Sequence, residues 1–455
     1  MTTPAQRTNG NGPDEDSFAC DVLVIGGGPA GSAIATHLAR RGREVVVLEK
    51  AHHPREHIGE SLLPYSMPYL AELDVLEEVN RSIGILKRGA DFFSDHDPKP
   101  HQTYYFRNAW EGDSAHAYEV DRSDFDKLLF HNAAQAGAQT HEGMRVIGVE
   151  FHPGGHSRVI ARDENGNERV WDARFVVDAS GRDTFLSSRF KLKQKNRKHA
   201  SSALYGYYKN VPRQPDEDEG NICLYWLPHG WVWLIPLRNG LMSVGAVCFP
   251  DYLKTRDCPP AEFLDKTLAL SPMLAERMKG AERVGKVQAT GNFSYFSRRA
   301  SGKGYLLVGD AFAFLDPVFS SGVHIALTSA SLGADTVDGI LDNPARARRL
   351  TRAYERNLRR GLRRFAWFIY RFNAPAFRRM FMDPGMRFGM FEAVTAMLAG
   401  DVFRPGPPKR PILLFRAAYY LVSLIELRGS IANWRRRRRS VAGRRGSADL
   451  ERAVR

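Results

Sequence analysis

Cysteine is scarce in this chain. Its 455 residues include 4 cysteines, Cys20, Cys223, Cys248 and Cys258, with no CxxC pair and no His/Cys cluster at metal-ligand spacing. That scatter argues against both a disulfide framework and a structural metal site. Also missing is the basic-then-apolar opening of a signal peptide, because the first 17 residues are polar and turn acidic toward their end. A reducing, cytoplasmic setting is expected. No apolar run is long enough to span a bilayer, and the best candidate, residues 411–427, is interrupted by Arg416 and Glu426. It reads as a helix packed on the protein's own core, with an amphipathic membrane contact as the alternative.

Acidic residues are sparse at the C-terminal end. Residues 401–455 carry 14 Lys/Arg against 4 Asp/Glu, so +10 of the net charge of +14 lies there. The arginine block at 435–439 reads as a solvated, flexible end. The sharper alternative is attraction to an acidic carrier protein or to an anionic membrane surface, with peripheral location at the membrane. Nucleic acid is not an expected partner, since only Trp434 interrupts the basic run and no recognisable binding module precedes it.

What is present is an ordinary globular composition, 43% hydrophobic and 25% charged, enough to bury a large core in two or three interleaved domains. Residues 1–18 are polar and read as disordered. Residues 21–25 and 44–49 read as strands and 30–41 as a helix between them. The middle of the chain is rich in alternating strand patterns, and from about 331 the pattern turns helical and basic. The fold class is α/β.

Gly26-Gly27-Gly28-Pro29-Ala30-Gly31 matches GxGxxG between a strand and a helix. Small residues there permit the tight turn and let the backbone approach a pyrophosphate at the helix N-terminus. Glu49 ends the next strand at the distance expected for a carboxylate that accepts a ribose hydroxyl. Two further strand ends follow much later: Val176-Val177-Asp178-Ala179-Ser180-Gly181, and Gly304-Tyr305-Leu306-Leu307-Val308-Gly309-Asp310-Ala311 with Asp316-Pro317 beyond it.

These segments resemble the DG and GD motifs of the FAD-dependent hydroxylase superfamily. The resemblance implies a discontinuous Rossmann-type FAD domain over 19–96, 145–190 and 290–345, with Asp310 on the ribityl chain and Arg122 among the cofactor-binding residues. The remainder divides into a substrate-side sheet domain over 97–144 and 191–289, a helical region over 346–428 and a basic tail over 429–455.

Four stretches narrow the resemblance: His57-Ile58-Gly59-Glu60-Ser61-Leu62-Leu63-Pro64, Leu86-Lys87-Arg88-Gly89, Trp231-Val232-Trp233-Leu234-Ile235-Pro236 and Asp316-Pro317-Val318-Phe319-Ser320-Ser321-Gly322-Val323-His324. With these the chain resembles the flavin-dependent halogenases of the phenol and pyrrole type. In that family a separate flavin reductase supplies reduced FAD, and chloride or bromide is oxidised to hypohalous acid. The resemblance implies halide on the amides of Ser321 and Gly322, hypohalous acid meeting Lys87, and Trp231 and Trp233 as an indole wall that keeps the organic ring off the flavin.

Tryptophan halogenases carry a glutamate three residues before the glycine of the halide loop, and here that position is Phe319. An electron-rich ring, phenol or pyrrole, is the expected substrate, in secondary metabolism and with an acyl or peptidyl carrier protein as its presenter. Rival readings are a reductase similar to the geranylgeranyl reductases, a nicotinamide-dependent aromatic hydroxylase, and a catalytically silent flavoprotein recruited through its arginines.

Overall fold

The computed structural model describes residues 17–97, 99–109, 115–196, 198–291, 294–384, 388–404 and 409–442. Its first sheet is built around the strand Ser17–Ile25, which pairs in parallel with Glu168–Asp178 on one side and Val45–Leu48 on the other. Tyr305–Leu307 and Gln139–His141 continue it in parallel outward. The valine-rich runs are buried on both faces, which is why they read as unbroken apolar stretches. The helices Pro29–Ala39, Arg122–Gln135 and Ser321–Asp342 pack together against this sheet. All the parallel strands end at one edge, where Gly26, Glu49, Ala179 and Val308 follow them, and a crevice at such an edge is where α/β folds bind ligands.

The second sheet runs in the order Glu282–Thr290, Ser202–Lys209, Met242–Cys248, Gly230–Pro236, Ile222–Leu227, Gly89–Phe93 and His101–Tyr105. Alternation along Gly230–Pro236 puts Trp231, Trp233 and Ile235 into the core shared with the first sheet. Val232 and Leu234 face a separate core closed by the helix Pro260–Leu268.

Several boundaries differ from the sequence reading. Gly89–Phe93 belongs to the second sheet although the sequence places 19–96 in the FAD domain, and Arg122–Gln135 and Gln139–His141 join the first layer although the sequence places 97–144 in the other. Hydrogen-bonding partners, not chain order, decide sheet membership. The first strand starts at Ser17 because the long partner strand offers pairing groups back to Val170. Of the tail expected to be disordered, residues 1–16 lie outside the described residues.

At the other end, Leu427–Ala442 is a helix, so the arginine block at 435–439 lies on a helix, where Arg435, Arg438 and Arg439 are exposed. Arginine is a good helix former, and Arg436 anchors the turn by donating to the Pro228 carbonyl at 2.5 Å. Residues 443–455 lie outside the described residues. The helix over 411–427 packs on the protein's own core as expected, but by one face only. Lys409–Ile425 buries Phe415 but leaves Leu413, Leu421 and Ile425 exposed.

Candidate active site

A cavity of about 610 Å³ opens at the carboxyl edge of the first sheet and runs beneath the second. Gly26, Gly28, Pro29, Ala30, Glu49, Arg122 and Asp310 line it, together with Trp231, Trp233, Ser320 and Gly322. The glycine turn is sterically required. Gly26 has φ +104°, and a Cβ on Gly31 would lie 1.9 Å from the Gly26 carbonyl oxygen. Gly31 therefore packs the turn and does not face the cavity. No side chain caps the helix Pro29–Ala39, so its first amides are left for an anion.

Glu49 is fixed by two amides, accepting from Gly27 N at 2.7 Å and Ala51 N at 3.0 Å. Asp178 is structural. Its buried carboxylate accepts from Ser180 N at 3.0 Å and Leu186 N at 2.7 Å, closing the turn that follows its strand. Asp310 is different, because among the described residues no protein donor reaches its carboxyl. Burial pushes that carboxyl up to about 6, against the pull of Arg182 and Arg122. Arg122 spends its guanidinium on Asp126, at 2.8 and 3.0 Å, and on the Ile58 carbonyl at 2.8 Å, so it braces the 58–60 loop while lining the cavity. A side-chain-free turn, a fixed carboxylate at a strand end and a hydroxyl-seeking Asp310 fit the pyrophosphate, ribose and ribityl groups of FAD.

The helix Ser321–Asp342 points its N-terminus at the same cavity, again with no side-chain cap. Ser320, in the left-handed region at φ +51°, turns the chain into it. Ser320 and Gly322 line the cavity, whereas the Ser321 side chain is buried behind them. Trp231 and Trp233 stand side by side with ring centroids 5.9 Å apart. Trp233 donates to Ser243 Oγ at 3.1 Å, and Gly245 leaves room for its ring, since a Cβ there would lie 2.2 Å from it. Behind Trp231 stands Phe372, whose ring also meets Phe319 edge-on at 5.6 Å.

Lys87 does not line the cavity. It is 1% exposed, and its ammonium donates to Ser61 Oγ at 2.7 Å and to the Leu62 carbonyl at 3.0 Å. Ser61, which does line the cavity, donates onward to Glu119 Oε1 at 3.1 Å. Burial lowers the Lys87 pKa and raises that of Glu119 to about 7, each against the attraction of the other. Glu60, also buried and cavity-lining, accepts from Gly59 N at 2.9 Å, and burial raises its pKa as well. Glu60 and Ser61 stand in the stretch 57–64, whose sequence makes no role for either legible. Glu119 was missed entirely, and the one available signal was a carboxylate inside the apolar strand Ala117–Val120.

The family model of the FAD binding domain matches residues 19–359. A curated relative, the 1H-pyrrole-2-carbonyl peptidyl-carrier protein chlorinase of Pseudomonas fluorescens, is 32% identical over 410 residues, covering 84% of this chain and 89% of its own. Among solved structures, a flavoprotein/dehydrogenase from Cytophaga hutchinsonii superposes with a TM-score of 0.82 at 29% identity, over 90% of this chain and 100% of that one. The myxobacterial chondrochloren halogenase superposes with a TM-score of 0.75 at 31% identity, over 90% and 97%. With the dinucleotide turn and the indole pair around one cavity, a buried lysine joined to it through Ser61, and relatives of this kind along most of its length, the chain belongs to the flavin-dependent halogenases.

Proposed function

We propose that this enzyme halogenates an electron-rich ring, a phenol or a pyrrole, presented on an acyl or peptidyl carrier protein, and that it takes its reduced flavin from a separate reductase. FAD, when bound and reduced, supplies the electrons with which oxygen becomes the oxidant of a halide. The chain's own residues do the rest. Amides at the start of the helix Ser321–Asp342 hold the halide without a protein charge. Trp231 and Trp233, rigid and 3% exposed, keep the organic ring out of the flavin cavity. The Lys87 ammonium donates a hydrogen bond to hypohalous acid and polarises it toward the ring. Glu119 is a positioning residue that holds Lys87 through Ser61.

The observation that carries this reading is Ser61, which touches the cavity on one side and the buried ammonium on the other. Phe319, packed on Phe372, puts an aromatic ring where tryptophan halogenases have a carboxylate, in keeping with a substrate activated by its own heteroatom. The carrier-protein chlorinase among the relatives supports a tethered pyrrole.

The test is reconstitution with FAD, NADH, a flavin reductase, oxygen and either chloride or bromide, offering free phenols and a pyrrolyl carrier-protein thioester. Halogenated product by mass spectrometry, abolished in Lys87→Ala while oxygen consumption persists, is the expected result. Halide-independent hydroxylation or alkene reduction would overturn it.

A further inference from the structure

The two C-terminal helices turn an apolar face away from the protein. Lys409–Ile425 meets the core through Phe415, which is buried among Trp367, Phe368 and Phe377, and through Arg416 stacked over Trp367 at 4.8 Å. Its opposite side carries Leu413, Leu414, Tyr420, Leu421, Leu424 and Ile425, all between 46% and 80% exposed. Leu427–Ala442 continues the stripe with Leu427, Ile431 and Trp434. A contiguous apolar surface of this kind marks an interaction site.

Charge says what covers it. Among the described side chains of residues 410–439, the exposed charged groups are Arg410, Arg428, Arg435, Arg438 and Arg439. Glu426, the one carboxylate in that span, is turned back onto Arg379 at 3.2 Å. A second copy of the chain seated on this face would bring arginine against arginine. An acidic protein would answer the arginines but not the leucines beside them. A bilayer with anionic headgroups answers both, since hydrocarbon lies just beneath a plane of negative charge. Trp434, with Arg438 over its ring at 4.7 Å, and Tyr420 have the amphipathic character of interfacial side chains. Among the described residues no helix is long and apolar enough to cross a membrane.

We infer that Lys409–Ile425 and Leu427–Ala442 together lie flat on an anionic lipid surface and dock the enzyme there. The inference stands apart from the reaction assigned above, because it uses no residue of the active site.

The experiment is flotation of the full-length FAD-loaded protein with vesicles of phosphatidylcholine, with and without phosphatidylglycerol, at low and high salt. Binding is expected to be about tenfold stronger on the anionic vesicles and to weaken with salt. Arg435→Gln with Arg438→Gln is expected to weaken it roughly fivefold per arginine. Leu421→Glu with Ile425→Glu is expected to lower it by more than about tenfold while bound flavin is retained. In the wild type, brominated lipid is expected to quench indole fluorescence more than in Trp434→Phe, a readout independent of the glutamate variants. Equal recovery from neutral and anionic vesicles, or none from either, overturns the proposal. So does a concentration-dependent dimer abolished by Leu421→Glu, or capture of an acidic carrier protein in place of lipid.

Discussion

Lys87 Nζ lies 3.6 Å from Glu119 Oε1, and neither side chain is more than 1% exposed. Two opposite charges have been taken out of water together, so each offsets the desolvation of the other. Removing one partner strands the other at a cost of about 3–5 kcal/mol, whereas removing both leaves no unpaired charge. Lys87→Met and Glu119→Gln are therefore each expected to lower the melting temperature of the FAD-loaded protein. The double variant should recover most of the loss but none of the halogenation. Additive losses in the double variant would show that the two groups do not act as a pair.

The same burial sets a pH dependence. Glu119 has its carboxyl raised to about 7, so near that pH it changes from the neutral form to the anion that accepts from Ser61 and faces Lys87. As pH falls through that value the anion is lost and the lysine loses its anchor. Halogenation is thus expected to decline on the acid side with a midpoint near 7. In Glu119→Gln that limb should disappear and the whole profile should sit lower. A variant profile with the same acid midpoint would assign the inflection to another group.

At the dinucleotide turn a single methyl group is decisive. The Cβ of alanine at position 31 would overlap the Gly26 carbonyl oxygen, 1.9 Å away, and this is backbone that cannot step aside. Gly31→Ala is expected to purify without flavin, read as loss of the absorption near the visible flavin bands. Full flavin occupancy in that variant would mean that the turn yields without cost to the cofactor.

The halide site is tested by deleting one amide. Proline lacks the N–H and is tolerated in the first turn of a helix, and a Cβ at Gly322 meets nothing nearer than Phe314 at 3.9 Å. Gly322→Pro should keep its FAD and its fold while the halide KM rises by about tenfold, the order expected for losing one hydrogen bond to a charged ligand. An unchanged halide KM would remove this helix N-terminus from the halide site.

Local spacing determined much of this protein. The glycines of 26–31, the apolar run before them and Glu49 at the end of the next strand together predict the tight turn of a dinucleotide-binding βαβ unit, because φ/ψ and steric limits act between near neighbours. Trp231 and Trp233, two apart on one strand, must share a face. Packing and pairing decided the rest. Glu119 reaches Lys87 because Gly84–Lys87 runs antiparallel to Ala117–Val120, with Glu119 opposite Ile85 and so diagonal to Lys87 on the same face. No pattern within either strand specifies that register. The apolar stripe from Leu413 to Trp434 reads in sequence like any buried helix, and it becomes an outward surface only because Phe415, on the other side, is the residue that meets the core. Hydrophobicity says that a face seeks cover, and only the tertiary fold says which face has found it.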